Sequence, residues 1–439
     1  MLYELARHEP LRTVAWDSDV ARATIQAIVD ETERQFDPVQ GWPAHPRDRA
    51  EARATDPGLT PLYHGACGVV WALHYLQAQG GASLKADYIA YLDAARSRNQ
   101  EWLGEVRDAA AASYLMGDTP FLMQQWANAA DRSVLNDQLV HLIAGNREHP
   151  HRELMWGAPG TMLAAYFMYE HSGDPRWAKL YVQTAATLWS QLLWSDEFQC
   201  HYWTQDMYGR QSTYLDGVHG FVATACALIK GRKLLAPDDW QQWERCIVQT
   251  VSRTATEDGQ GVNWRAHLVT PAGEQPRLLM QFCHGAPGFV ICLGDLPAGP
   301  LDALMLRAGE TLWQAGPLTK GANLCHGTGG NGYAFLKLYQ RTGDALWLQR
   351  ARAFAMHGIA QTAAEQAQHG RGQYSLWTGD LGFAIYLWDC LTGEPRFPTL
   401  DVFFAGDSRR EPAVGALRGN RLRARFLLRQ QIQKSQHCI

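Results

Sequence analysis

The sequence predicts an all-α fold: a closed ring of seven helical hairpins. Two observations lead there. The pattern apolar-x-Gly-x-x-Gly, followed by an apolar run, recurs along the chain, and the stretches between its copies have helical rather than strand periodicity. The copies are "YHGACGVVWAL" from Tyr63, "MWGAPGTMLAAY" from Met155, "LDGVHGFVATAC" from Leu215, "FCHGAPGFVICL" from Phe282, "LCHGTGGNGYAFL" from Leu324 and "WTGDLGFAIYLW" from Trp377. A degenerate seventh, "LMGDTPFLMQQW" from Leu115, has Pro120 in place of the second glycine. The lead glycines are then Gly65, Gly117, Gly157, Gly217, Gly285, Gly327 and Gly379. Their spacing averages roughly 50 residues, room for two helices and two loops per unit.

Each glycine signal leads into an apolar helix, and glycine suits a tight turn where backbones crowd. The segments between read as second, amphipathic helices. In "GDPRWAKLYVQTAATLWSQLLW", Asp174 is the predicted N-cap, Pro175 takes the first helical position, and apolar residues follow at three- and four-residue steps. "GDALWLQRARAFAMHGIA", from Gly343, repeats the same opening. Strands have little room. Seven such hairpins close most naturally with apolar helices inside and amphipathic ones outside. The domain reading is an N-terminal helical segment over 1–60 packing on the ring, the ring over 61–405, and a basic tail over 406–439.

Composition narrows the function. The 439 residues carry a formal net charge of −4, and 17 Trp, 16 Tyr and 14 Phe are scattered at helical spacing, so no nucleic-acid partner is implied. The start, Met1-Leu-Tyr-Glu-Leu-Ala-Arg-His-Glu, lacks the basic and apolar regions of a secretion signal, and no run of 18 apolar residues occurs. A cytoplasmic protein without a transmembrane segment is expected. Nine dispersed cysteines point to free thiols and metal ligands rather than a disulfide framework. The tail, with Arg418, Arg421, Arg423, Arg425, Arg429 and Lys434 among Leu and Ile, is either a solvated basic helix or a weak contact for a partner or membrane surface.

Cys283, Cys325 and His326 exceed a packing role. Composition alone gives roughly 0.3 Cys-His pairs, and far fewer followed by Gly. Two Cys-His-Gly triplets in equivalent repeat positions should face one another at one end of the ring. Two thiolates and an imidazole suit zinc, and three protein ligands leave a fourth position for water or substrate. A closed structural site that also takes His284, or two packed cysteines beside a satisfied histidine, are the alternatives.

Seven glycine-marked hairpins, "CHGAPG", "CHGTGGNGYAFL" and the late "YSLWTGDLG…RFP" together resemble the LanC-like family of lanthionine cyclase relatives, over about residues 60 to 400. The wording is closer to the eukaryotic-type, glutathione-linked members than to the bacterial lantibiotic cyclases. The resemblance implies an α/α toroid that holds one zinc ion through Cys283, Cys325 and His326. The implied reaction is zinc-dependent addition of a thiol, from glutathione or a peptide cysteine, to dehydroalanine or dehydrobutyrine in a peptide or protein, forming a thioether. A thiol of ordinary pKa is only a few per cent thiolate at neutral pH, so capture by the metal raises the reactive fraction roughly 30-fold.

Further residues follow from the resemblance. His219, in "LDGVHG", matches the family's proposed acid, and an imidazole suits proton delivery to the enolate left by addition. Glu153 matches a position that is Asp in lantibiotic cyclases; it either orients a proton carrier or caps a helix. Those cyclases favour Arg four residues before the first zinc cysteine, where this chain has Leu279. Lys320 matches a glutathione-contacting lysine, and Arg371 lies in the corresponding basic loop; both suit carboxylates. No dehydration module precedes the ring, so dehydrated substrate is expected from another enzyme or from damage chemistry. His284 is placed for contact with the metal's ligands, whereas His64 and His201 read as structural. The interruptions "SDEFQCHYWTQDMYGRQS" and "TEDGQGVNWRAHLVTPAGEQPRLLMQ" each precede a glycine signal and are positioned to overhang the site. Two other readings compete: a zinc- and glutathione-binding scaffold without catalysis, and a toroid hydrolase, for which a convincing pair of inward carboxylates is not evident.

Overall fold

The structure, a computed structural model, describes residues 1–48, 57–106 and 110–404. The basic tail read over 406–439 lies outside the described residues. In chain order, helix α1 (Ser18–Arg34) comes first. Six hairpins follow: α2 (Ala66–Ala78) with α3 (Leu92–Leu103), α4 (Thr119–Asn128) with α5 (Ser133–Gly145), and α6 (Ala158–Ser172) with α7 (Pro175–Ser190). Next come α8 (Phe221–Lys230) with α9 (Pro237–Arg253), α10 (Ala286–Leu293) with α11 (Asp302–Ala315), and α12 (Thr328–Thr342) with α13 (Ala345–His369). Helix α14 (Asp380–Thr392) ends the series.

The even-numbered helices α2 to α14 each neighbour the next, and α14 packs on α2, which closes the ring. They are buried nearly all round: residues 158–168 of α6 and 328–338 of α12 are all buried. Their partners bury one stripe, as in α7 with Trp177, Leu180, Tyr181, Thr184, Ala185 and Leu188. Helix α14 takes its outer partner from the opposite end of the chain, because α1 packs against it. The Gly-Asp openings do what their chemistry suggests. Gly173 and Gly343 end α6 and α12 in the left-handed conformation, and Asp174 and Asp344 cap the next helices through Arg176 N and Leu346 N. Among the described residues no helix is long and apolar enough to cross a membrane.

The chain leads into α2, α8, α12 and α14 through loops whose backbone bonds reach seven residues back. Phe221 N donates to Tyr214 O, Thr328 N to Gly321 O and Asp380 N to Gln373 O. This register corrects the expectation for the fourth repeat: α8 begins after Gly220, so Gly220 rather than Gly217 is equivalent to Gly157, Gly285 and Gly327. In the second repeat Asp118 rather than Gly117 precedes the helix. The second glycine of each intact motif is required by a close approach. A Cβ on Gly330 would lie 1.8 Å from Leu324 O, and on Gly68, Gly160, Gly288 and Gly382 it would lie 1.9–2.1 Å from the carbonyl six residues earlier. Gly330→Ala is therefore expected to lose about 3 kcal/mol of stability, seen as a lower thermal midpoint. Gly145→Ala, with open space around it, should be neutral or gain up to about 1 kcal/mol.

Strands do find room. The long interruptions fold as antiparallel hairpins, β1 (Leu193–Ser195) with β2 (Cys200–Tyr202), β3 (Gln205–Met207) with β4 (Arg210–Ser212), and β5 (Ala255–Asp258) with β6 (Gly261–Trp264). The tight tip of the second has positive φ at both Tyr208 (53°) and Gly209 (76°), the conformation that matches strand twist in a two-residue turn. After α14 the chain turns into the ring interior. Phe397 packs on Phe282, Tyr333 and Trp377, and Phe403 on Trp71, Tyr114 and Phe167. Asp401 there pairs with the buried ammonium groups of Lys230 and Lys337, so these charges are compensated.

Candidate metal centre and flanking histidines

The loops that lead into the inner helices are stitched to one another. Cys283 N donates to Cys325 O (3.0 Å), Cys325 N to Trp377 O (2.9 Å), and Trp377 N to Tyr63 O (3.0 Å). The next bonds run from Tyr63 N to Leu115 O and from Leu115 N to Met155 O, so the loops gather around one end of the ring. Equivalent positions of neighbouring repeats therefore meet, and the two Cys-His-Gly triplets come together. One ligand atom each from Cys283, Cys325 and His326 lies within 4.8 Å of the others.

The surroundings fit a metal cation. Cys283 and Cys325 are 9 % and 2 % exposed. The neighbouring Cys325 sulfur, with burial second, holds the Cys283 thiol well above the usual range. Two buried sulfurs in mutual contact are poor anions by themselves, and a cation between them removes the conflict. Burial lowers the pKa of His326 below the ordinary imidazole value, and the nearby Lys320, Arg47 and Arg7 add to this, which favours the neutral form that ligates. Each sulfur also receives a hydrogen bond, Cys325 from Tyr63 Oη (2.7 Å) and Cys283 from Gln281 Nε2 (2.9 Å).

A repeated device sets the histidines. Four residues before the glycine that precedes an inner helix, an acceptor side chain binds backbone N–H groups at the end of its own loop. Glu153 accepts from Met155 N and Trp156 N, Asp216 from Val218 N and His219 N, and Asn323 from His326 N. The same carboxylates hold the histidine of the following repeat. Glu153 Oε2 lies 2.9 Å from His219 Nδ1, and Asp216 Oδ2 lies 2.8 Å from His284 Nδ1. An ionised carboxylate accepts only, so Nδ1 carries the proton in both pairs and Nε2 is left for other partners. Burial lowers the His219 pKa, but the Glu153 hydrogen bond and charge, then Asp216 and Cys283, outweigh it and leave it above the ordinary value. His284 is opposed by burial in the same way and raised to about 9 by Asp216 and Cys283. Repeat five has Gln281 at the equivalent seat, so no carboxylate there binds the His326 ring.

Lys320 stands on the same loop as Cys325, where burial and then Arg7 lower its pKa from the ordinary lysine value against the opposing pull of the two sulfurs. Its carbonyl accepts from Arg47 Nη1 (2.8 Å). Arg371 lines a cleft with Arg47, Asn323, Thr378 and Asp380 beside the His326 loop. Glu153 is fully buried, and it both bonds loop amides and orients His219. His64 is buried enough to fall to about 4 and packs edge-on to Trp102, while His201 packs on Trp194 in a β-hairpin. The two interruptions join through the Tyr214–His267 bridge, and Tyr214 lies 5.5 Å from His219 and 6.3 Å from His284 between ring centres. Tyr208 at the hairpin tip accepts from Trp156 Nε1 (3.1 Å). The interruptions therefore border these histidines. Sequence reasoning missed Asp216, Tyr63 and Gln281; with Gly220 taken as the glycine that precedes the helix, Asp216 stands at the seat of Glu153.

Comparison with known proteins agrees with this architecture. The family described as "Lanthionine synthetase C-like protein" matches residues 57–402. Glutathione S-transferase LANCL1 of Danio rerio is 35 % identical over 159 residues, which cover 32 % of this chain and 38 % of that protein. LanC-like protein GCL1 of Arabidopsis thaliana is 34 % identical over 135 residues, covering 28 % of this chain and 30 % of that one. The chain thus aligns with well under half the length of either relative. Nisin cyclase, at 12 % identity, superposes with a TM-score of 0.54, covering 90 % of this chain and 100 % of its own, and shares the fold.

Proposed function

Because the chain belongs to the lanthionine synthetase C-like family, we propose that it joins a thiol to a dehydroalanine or dehydrobutyrine residue of a peptide or protein, forming a thioether. The observation that carries this reading is the cluster of Cys283, Cys325 and His326 at the same end of the ring as the His219–Glu153 pair. These three residues would hold zinc, with the fourth position left to the incoming sulfur. Bound there, zinc keeps a substrate thiol as a nucleophilic thiolate at neutral pH.

The remaining work falls to side chains. The sulfur bonds to the β-carbon of the alkene, the π electrons move to the α-carbon and its carbonyl, and the thiol proton is released to solvent. His219 then delivers a proton to the α-carbon from Nε2, while Glu153 fixes its ring and supports the imidazolium. Lys320 and Arg371 bind carboxylates of the thiol substrate. Glutathione fits that pair, and the name of the zebrafish relative points the same way.

Mass spectrometry of zinc-loaded protein with glutathione and a peptide carrying both dehydroalanine and cysteine tests the choice of thiol. A glutathione adduct is the expected product. A ring isobaric with the starting peptide, resistant to thiol alkylation, would assign cyclisation instead. Lys320→Ala should raise the KM for glutathione about tenfold, the loss of one charge-assisted contact.

A further inference from the structure

The two sulfurs of the cluster are not equivalent in their partners, and neither hydrogen bond is supplied by packing alone. Tyr63 belongs to the first repeat and reaches Cys325 across the Trp377 loop. Its position is fixed by the backbone bonds on either side and by its ring contact with Trp377, 5.5 Å between centres. Gln281 occupies the seat that holds a carboxylate in the two preceding repeats. A carboxylate there would bind the His326 ring and set a negative charge against Cys283. The amide avoids both, and its orientation is fixed because Arg7 Nη2 donates to Oε1 (3.2 Å), which turns Nε2 toward Cys283 Sγ.

We propose that Tyr63 and Gln281 are positioning residues of the metal centre, each donating one hydrogen bond to one ligand sulfur so that the buried sulfurs stay bound and unreactive while the substrate thiol reacts. The inference rests on the metal reading given above. Donors directed at a ligand sulfur withdraw electron density from it, orient its lone pairs and satisfy it in a site from which water is largely excluded.

Cobalt(II) titration of wild type, Tyr63→Phe and Gln281→Met reports on this without an activity assay. Each variant should keep the wild-type far-UV circular dichroism, bind one Co²⁺ with an affinity lower by about tenfold or more, and show its sulfur-to-cobalt charge-transfer band at longer wavelength. In the loaded protein, iodoacetamide should label Cys325 faster in Tyr63→Phe and Cys283 faster in Gln281→Met. Each variant reports on a different sulfur, so misfolding of one leaves the other to decide. Variants with wild-type affinity, band position and labelling would overturn the inference and leave the metal reading standing, whereas a wild-type protein that takes up no cobalt would overturn both.

Discussion

Cys325→Ala is expected to abolish both stoichiometric zinc binding and thioether formation, with the ring still folded. Cys325 is 2 % exposed, so alanine leaves a small void costing on the order of 1–2 kcal/mol, minor beside the apolar core of seven inner helices. The proposed ligand set would fall from three to two, and Tyr63 would lose its partner at 2.7 Å. Elemental analysis after dialysis, alongside circular dichroism, separates the outcomes. Loss of zinc with retained helicity is predicted, and a full complement of zinc in the variant would remove Cys325 from the ligands.

His219→Asn should leave zinc in place and slow the reaction roughly 100- to 10,000-fold, the usual contribution of a positioned acid. The ring is only 18 % exposed and its Nδ1 is committed to Glu153, so neither asparagine nor a passing water easily takes over from Nε2. Glu153→Gln isolates the charge while keeping an acceptor. In the proposed mechanism the reactive form of His219 is the imidazolium, so activity should fall as pH rises through its pKa. That pKa is raised in the wild type by Glu153 against burial. Removing the charge lowers it, so the alkaline limb of kcat should move to lower pH in Glu153→Gln. An unmoved limb would assign the proton to another group.

The parts of this arrangement that were legible are those written locally. Gly-x-x-Gly followed by an apolar run marks an inner helix because the second glycine meets a carbonyl only six residues away, a contact internal to the motif. Asp174 with Pro175 marks an outer helix for an equally local reason. From sequence the fourth repeat reads three residues early, because Gly217 also lies in a crowded place, its missing Cβ facing Phe282 O of the next repeat at 2.8 Å. The bonds from Phe221 N to Tyr214 O and Val222 N to Leu215 O, with Gly220 extended before them, show where α8 starts. The partner of α14 was illegible because nothing in residues 18–34 says which face of the ring they cover.

At the site the same division holds. Cys283, Cys325, His326, His219 and Glu153 each stand in a motif. The pairing of His219 with Glu153 across 66 residues, and of Tyr63 with Cys325 across 262, follows from ring closure and not from spacing. Gln281 has meaning only once its seat is compared with those of Glu153 and Asp216.

The most direct test of the proposed chemistry is the initial rate of thioether formation on a dehydroalanine peptide with glutathione, measured as zinc is added back to metal-free protein. The rate should rise in proportion to occupancy and level off at one ion per chain, above the rate in buffer with free zinc. A metal-free chain that reacts as fast as the loaded one, or a fully loaded chain no faster than buffer, would contradict the account.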